Sequence, residues 1–162
     1  MLISNHAKEN QHNYTHPKSP RFVKNTSTPK DTNIKKIKLV SYNIKHTLDI
    51  TKGLKLLSNN PKLKDADVIC LQEMYPDKVE TIAEELNLNY IYYPAILHPM
   101  SKKDFGNAVL TKWPIIADQK HILKFKKKNT LQRIAVKASI KINNSIVSIY
   151  SIHMKVFLKS KT

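Results

Sequence analysis

One short apolar run that ends in two polar residues constrains this chain more than any other feature. Val68-Ile69-Cys70-Leu71 is followed directly by Gln72 and Glu73, and helix-like sequence comes next. The run is too short for a helix, so it predicts a strand over Asp67–Glu73 that is buried on both faces. Open α/β sheets bind ligands beyond the carboxyl ends of their strands. Glu73 is therefore expected at the end of the sheet where a functional site would lie.

A second strand, predicted over Ile37–Asn43, also ends in a polar residue. Between the two strands, apolar residues recur at helical spacing from Ile50 to Leu57. Strand, helix and strand in this order predict a right-handed parallel crossover, which places Asn43 and Glu73 side by side at one end of the sheet. An amide oxygen beside a carboxylate is a hard-oxygen pair that suits Mg²⁺.

The rest of the chain predicts one more helix and a series of strands. The helix follows Pro76-Asp77, and the strands lie over Tyr90–Tyr93 (ended by Pro94), Gly106–Thr111, a segment from Ile115, Arg133–Ile142 and Ser145–His153. Asn143-Asn144 joins the last two strands and is a hairpin signal, because Asn tolerates positive φ. Two helices followed mostly by strands predict an α/β domain with a mixed sheet.

The basic charge of the chain is concentrated in its last third. The formal net charge of +16 divides into +5 for residues 1–36 (7 basic, 2 acidic), −1 for residues 37–97 (7 and 8) and +12 for residues 98–162 (14 and 2). This distribution suits a polyanionic partner, either nucleic acid or a phospholipid surface. A solvated, lysine-rich surface without a partner is the alternative interpretation.

The N-terminal segment differs in composition from the rest of the chain. Residues 1–33 are polar, with few large apolar side chains, and are predicted to be a disordered tail in which the histidines are solvated; order is expected over 34–162. The single cysteine, Cys70, excludes an internal disulfide. No apolar run approaches the length of a membrane span and no secretory signal is seen, so the compartment stays open, with the cytoplasm as the default expectation.

Four motifs in order along the chain resemble the endonuclease/exonuclease/phosphatase superfamily, which has the DNase I-like fold. They are Ser-Tyr-Asn-Ile, Asp-Val-Ile-Cys-Leu-Gln-Glu, Gly-Asn-Ala-Val-Leu-Thr-Lys-Trp-Pro-Ile and Ile-His-Met, and they span about residues 37–153. The resemblance implies a four-layer α/β/β/α sandwich that hydrolyses phosphate esters with Mg²⁺ or Mn²⁺.

The same resemblance implies a role for individual residues. Glu73 would be a metal ligand, and Asn43 either a second ligand or the group that orients the first. His153 would take part in acid–base or charge-stabilising work at the scissile phosphate. Arg133 would hold the substrate phosphate. Asn107 is assigned to phosphate binding, or else to fixing a loop by hydrogen bonds.

Other parts of the family pattern have no match in this chain. Ile152 and Met154 replace the usual threonine and leucine around the histidine, and neither the family's Gly-Asp-x-Asn segment nor its Asp-His pair is found. Residues 34–162 are therefore predicted to be about one half of the domain, with the inner face of its sheet left bare. The chain would be an incomplete, inactive fragment, or an inactive relative that keeps a phosphate-binding surface.

The substrate class stays open at this stage. DNA, RNA, a phosphoinositide, sphingomyelin and a nucleotide all fit the resemblance, and the basic last third favours nucleic acid, with a phospholipid head group as the other option. The alternative to an enzyme is a non-catalytic basic module that binds nucleic acid or phospholipid. Salt-dependent binding without metal-dependent turnover would indicate that alternative.

Overall fold

The computed structural model describes residues 13–26, 34–45, 49–124 and 131–154, whose strands form two sheets. The elements are β1 (Phe22–Lys24), β2 (Leu39–Asn43), α1 (Ile50–Asn59), β3 (Val68–Met74), α2 (Pro76–Glu85), β4 (Asn89–Leu97), β5 (Asp104–Thr111), β6 (Ile115–Leu123), β7 (Arg133–Ile142) and β8 (Ser145–Ile152). The first sheet has the strand order β1-β4-β5-β3-β2, and the second has the order β6-β7-β8. The first sheet is mixed, as predicted, because β2 and β3 are parallel and its other pairs are antiparallel.

The predicted parallel crossover is present. β2 and β3 are neighbours, and Asn43 lies opposite Gln72 at their carboxyl ends. Helix α1 connects them, and the carboxylate of Asp49 caps it by accepting a hydrogen bond from the backbone N–H of Thr51 at 3.1 Å. Capping of this kind satisfies an N–H that has no partner inside the helix, so the local sequence sets where the helix begins.

The two sheets pack face to face through an apolar core. Val68, Cys70 and Ile91 of the first sheet lie in one buried cluster with Val136 and Ile140 of the second. Burying each large aliphatic side chain of this kind stabilises the fold by about 1.5–3 kcal/mol. The prediction that the inner face of the sheet is bare is therefore wrong: β7 and β8, which the sequence located correctly, supply the partner for that face.

The two outer faces differ in how they are covered. Helices α1 and α2 pack on the outer face of the first sheet through Leu57, Val79 and Ile82. The outer face of the second sheet leaves Ile146 67% and Ile152 45% exposed, and no helix covers it among the described residues. The described part of the chain thus forms three layers, helices, sheet and sheet.

The segment Asn13–Thr26 is ordered, and the prediction of disorder is wrong for it. Strand β1 pairs antiparallel with β4, and the side chain of Asn25 exchanges two hydrogen bonds with the backbone of Ile115 in the second sheet. Composition does not predict this segment, because its order depends on partners far along the chain: Phe22 packs on Tyr92, and Asn25 bonds to Ile115. Residues 1–12 and 27–33 lie outside the described residues.

Strand β4 is longer than predicted and passes through a proline. It continues to Leu97, with a register shift against β5 between Pro94 and Ile96. Such a bulge lets a strand accommodate a residue that has no N–H to donate. Gly106 lies opposite Pro94, and a Cβ placed on it would be 2.0 Å from the carbonyl oxygen of Tyr93. The close approach of the two backbones therefore requires glycine here.

Candidate functional site

A bulge at the end of β3 places Glu73. Leu71 lies opposite Ala108 and Met74 opposite Gly106, so that Gln72 and Glu73 together face a single residue of β5. Glu73 has a φ of 60°. A non-glycine residue in this region costs on the order of 1–3 kcal/mol and persists where surrounding contacts enforce it. Bulges of this type redirect side chains and are common beside functional sites.

The predicted neighbour of Glu73 is in place. The side-chain amide nitrogen of Asn43 donates to Oε1 of Glu73 at 3.1 Å. The amide oxygen of Asn43 accepts from the backbone N–H of Lys45 at 2.9 Å. The expectation that Asn43 and Glu73 meet at the ends of adjacent strands is confirmed. In this arrangement the amide nitrogen of Asn43 orients the Glu73 carboxylate, and the amide oxygen is bonded to the backbone of Lys45.

The second sheet brings two further predicted residues to the same point. Nε2 of His153 lies 3.4 Å from Oε1 of Glu73, and Nη1 of Arg133 lies 3.1 Å from Nδ1 of His153. The side chains of His153 and Glu73 are 18% and 16% exposed, so the cluster is mostly shielded yet reachable from solvent. Asn43, Glu73, His153 and Arg133 therefore form a continuous chain of contacts that links the two sheets.

The contacts of His153 favour one tautomer of its ring. A guanidinium has only donors, so Nδ1 of His153 must accept from Arg133 and carries no proton. The ring proton then lies on Nε2, which faces the Glu73 carboxylate. In this tautomer, inferred from the hydrogen-bond network, the imidazole lies between the Arg133 guanidinium and the Glu73 carboxylate. Its Nε2–H is the proton that the site presents.

Arg133 has unused capacity to bind an anion. Its Nε is buried and has no hydrogen-bond partner. Burial lowers the pKa of Arg133, and the charge of Glu73 acts in the opposite direction. A buried N–H without an acceptor is costly, and a planar guanidinium matches two oxygens of a phosphate or carboxylate. The geometry at Arg133 therefore suits an anionic ligand.

Asn107 lies beneath the cluster. It is 2% exposed, and its amide nitrogen donates to the carbonyl oxygens of Ile134 at 3.0 Å and Ser151 at 3.4 Å. These contacts match the second of the two predicted roles, fixation of neighbouring backbone. Its assignment to phosphate binding stays a prediction.

Two buried polar residues near the site were not singled out from the sequence. Gln72 and Ser151 are 6% and 0% exposed and are bonded to each other across the sheets. Each interrupts an apolar alternation, Gln72 after Val68 and Cys70, and Ser151 after Val147 and Ile149. A polar residue at an inward-facing position of a predicted strand is the sequence signal that could have identified both residues.

The cluster contains few side chains that could bind a metal ion. Within the residues that the structure describes, no three or more His, Cys, Asp or Glu side chains come together to hold a metal ion. Mg²⁺ is commonly bound through one or two carboxylates, with water and substrate phosphate completing its shell. Glu73, oriented by Asn43, is a donor of this kind.

The chain shares a family and a fold with known proteins. A sequence model of the Endonuclease/Exonuclease/phosphatase family matches residues 40–140. An endonuclease/exonuclease/phosphatase family protein from Leptotrichia buccalis C-1013-b superposes with a TM-score of 0.60 and 19% identity, over 75% of this chain and 56% of that one. A humanized D. rerio TDP2 carrying 14 mutations gives 0.52 and 13%, over 70% and 45%. No curated protein matched the chain.

These likenesses bear on the fold. At such low identities they show the arrangement of the sheets and helices alone, which is the predicted DNase I-like fold class. The chain spans about half the length of these two structures.

Proposed function

Because the chain belongs to the endonuclease/exonuclease/phosphatase family, we propose that its cluster of Asn43, Glu73, His153 and Arg133 is part of a phosphoesterase site that binds a divalent metal and the phosphate of an ester substrate. The observation that carries the proposal is the juxtaposition of a carboxylate, held by Asn43 and His153, with an arginine whose buried Nε has no partner. The two halves of this cluster attract opposite charges, as a metal-phosphate complex would require.

Glu73 would hold the metal, and Asn43 would keep its carboxylate in place. Mg²⁺ and Mn²⁺ prefer oxygen ligands and retain several waters, so a single oriented carboxylate is a fitting protein contribution. When bound, the metal neutralises charge that develops on the phosphoryl oxygens. The nitrogen of the Asn43 amide, and not its oxygen, faces Glu73, so a role as a direct ligand would require the amide to turn.

Arg133 and His153 would hold the phosphate from the other side. The guanidinium would donate from its fork to two phosphate oxygens, which is the arrangement that distinguishes arginine from lysine. His153 presents the Nε2 proton next to the same carboxylate, where it can donate to an oxygen of the ester. Proton donation from His153 would be the contribution of this chain to general acid catalysis.

We propose that the 162-residue chain does not turn over substrate by itself. If Glu73 is occupied by the metal, the cluster contains no second carboxylate to orient an attacking water, among the described residues. Catalytic groups that act as a unit lose most of their effect when one is missing. We therefore expect no Mg²⁺-dependent hydrolysis of DNA or of a chromogenic phosphodiester above background.

Metal binding is the property that tests the site directly. We expect Mn²⁺ to broaden the NMR signals of the Asn43 side-chain amide and the His153 ring, and Glu73→Gln to abolish the broadening, because a neutral amide binds the ion poorly. Glu80→Gln, at an exposed position on α2, is the matched control and should keep it. Broadening of equal size in Glu73→Gln would rule out Glu73 as the ligand.

A non-catalytic role in binding a polyanion is the second candidate. Lys137 and Lys141 are on the outward face of β7. The outward-facing residues of β6 and β8 that pair with this strand include no acidic side chain. Of the basic residues Lys124, Lys126, Lys127 and Lys128, which the sequence connected with DNA binding, only Lys124 lies in the described part of the chain. Among the described residues, no helix has the length and apolar character of a membrane span.

The salt dependence of binding distinguishes this candidate from the first. Affinity for DNA that falls steeply with salt, with a slope that is reduced when all four of these lysines are neutralised, would support a nucleic-acid-binding role. An unchanged slope would leave the lysines as ordinary surface. Anionic vesicles tested in parallel separate a phospholipid partner from nucleic acid.

A further inference from the structure

A buried polar network lies directly under the site, between the two sheets. Gln72, Asn107 and Ser151 occupy inward-facing positions of β3, β5 and β8, and they are 6%, 2% and 0% exposed. The residues that precede them on the same face, such as Cys70, Phe105 and Ile149, are apolar. Burying polar side chains between sheets carries a desolvation cost that an apolar residue would avoid.

The network joins the two sheets by directional bonds. Nε2 of Gln72 donates to Oγ of Ser151 at 3.0 Å, and that hydroxyl donates in turn to the carbonyl oxygen of Leu71 at 3.0 Å. Asn107 reaches from the first sheet to the backbone of Ile134 and Ser151 in the second. Apolar burial is non-directional, whereas a hydrogen bond requires a defined distance and angle between its two groups.

Each bond is made next to a residue of the cluster. Gln72 immediately precedes Glu73, and Ser151 lies two residues before His153. Asn107 is the single residue that faces the bulge formed by Gln72 and Glu73, and its amide also binds the residue that follows Arg133. The network therefore touches the backbone on both sides of the Glu73–His153 contact.

We propose that Gln72, Ser151 and Asn107 are positioning residues, which hold the two sheets together and so set the distance between Glu73 and the His153–Arg133 pair. This inference rests on the proposed function, because the spacing matters only if the cluster acts as one site. The hydrogen bonds of the network fix the relative position of the two sheets at the point where residues of both sheets form the site. Sites of this kind need their groups held to within a fraction of an ångström.

The test measures the coupling between Glu73 and His153 in the intact chain, without metal or substrate. The ring ¹H–¹⁵N signals of His153, assigned with His153→Gln, should shift when Glu73 is changed to Gln, because the carboxylate lies beside Nε2. The same change is then made in a Gln72→Leu/Ser151→Ala background. This pair removes both partners together, so that neither is left buried without a bond.

We expect the shift to be at least halved in the double-variant background, while the urea midpoint of unfolding stays close to that of the wild type. Ser139→Ala is the matched control: Ser139 is also a buried serine, but it contacts Ser148 within the second sheet, and the shift should keep its full size there. A full-sized shift in the folded double variant would overturn the proposal. If the double variant does not fold, Ser151→Ala alone is measured by the same criterion.

The outcome is independent of the metal-binding experiment. Failure of the wild-type chain to bind Mn²⁺ would count against the proposed function, even if the coupling behaves as expected. Loss of Mn²⁺ binding in the double variant, with binding intact in Ser139→Ala, would support both.

Discussion

Lys120 is a buried lysine whose charge is only partly compensated. It is 1% exposed, and its Nζ donates to the carbonyl oxygens of Tyr14 at 3.2 Å and Ser19 at 2.8 Å. The ammonium also lies 5.8 Å from the centre of the Tyr93 ring. Desolvation by burial lowers the pKa of Lys120 from 10.5 to about 8. Carbonyl groups and a ring face thus offset only part of the cost of removing the charge from water.

This lysine should make the stability of the chain depend on pH. Between pH 8 and 10.5 the unfolded state keeps a proton that folded Lys120 has lost, so the free energy of unfolding rises with pH, by up to about 1.4 kcal/mol per pH unit. The contribution should be absent in Lys120→Met. Urea unfolding of both proteins from pH 7.5 to 9 measures it, and parallel curves would show that Lys120 does not titrate there. Higher pH is avoided because burial raises the pKa of Cys70 to about 11, which acts in the opposite direction.

The two glycines of the chain should respond in opposite ways to the same substitution. In Gly106→Ala the new methyl group would collide with the backbone of β4, 2.0 Å from the Tyr93 carbonyl oxygen, and we expect a loss of about 3 kcal/mol or more. In Gly53→Ala the nearest atom is a side-chain carbon of Ile44 at 3.8 Å, so the better helix former should stabilise α1 by up to about 1 kcal/mol. Denaturant unfolding of both variants measures whether the free energy of unfolding falls for Gly106→Ala and rises for Gly53→Ala. A mild effect at Gly106 would mean that β4 and β5 can separate at little cost.

Individual residues also show where sequence reasoning succeeds. The adjacency of Asn43 and Glu73 follows from a parallel crossover, which is a local rule, and it was predicted correctly. The bulge that turns Glu73 toward His153 depends on pairing with β5, far along the chain, and no local pattern predicted it. The roles of the site residues in chemistry stay predictions.

Among the helices and strands, those with strong periodicity were predicted most accurately. β7 has the predicted bounds Arg133–Ile142, and the turn after it contains Asn143 with a φ of 52°. β4 was ended too early, because a proline in a strand is tolerated where a bulge removes the need for its N–H. The sequence does not predict β1, because three residues are too few to show an alternation and they form a strand only by pairing with β4.

The N-terminal segment Asn13–Thr26 should therefore stabilise the fold. Arg21 forms an ion pair with Asp118 at 2.6 Å, and Tyr93 donates to the same carboxylate. Burial by itself raises the pKa of Asp118, but these two partners outweigh it and hold the pKa below its usual value. Removal of residues 1–26 would take Arg21 away from Asp118, which keeps its bond from Tyr93. It would also take the carbonyl oxygens of Tyr14 and Ser19 away from Lys120. We expect a lower unfolding midpoint, because buried charged groups are costly once their partners are lost.

A shorter deletion provides the comparison. Removal of residues 1–12, for which disorder is predicted, should leave the midpoint unchanged, and the difference between the two deletions measures the segment itself. Arg21→Ala in the full chain isolates the ion pair, which is partly exposed and should account for at most about 1 kcal/mol. Equal midpoints for both deletions would mean that the segment adds nothing to stability.

The three layers of the described chain differ in how well they are shielded from water. The first sheet is covered on both faces, by helices on one side and by the second sheet on the other. Among the described residues, nothing covers the outer face of the second sheet, which has exposed apolar side chains. The outward-facing residues that pair along β6, β7 and β8 include no acidic side chain. Exposed apolar patches on a sheet favour self-association, which lysine side chains oppose through charge repulsion.

The solubility of the chain should therefore be limited by this outer face, and not by the core. Ile146→Thr/Ile152→Thr changes two exposed side chains to β-branched polar ones that suit a strand, so we expect higher solubility with an unchanged urea midpoint. Ile140→Thr is the matched control on the opposite face of the same sheet: it is fully buried, and the substitution should cost about 2 kcal/mol or more without improving solubility. Sedimentation at increasing concentration and urea unfolding separate the two effects. A loss of stability in the double variant as large as that of Ile140→Thr would show that the outer face is packed against something in solution.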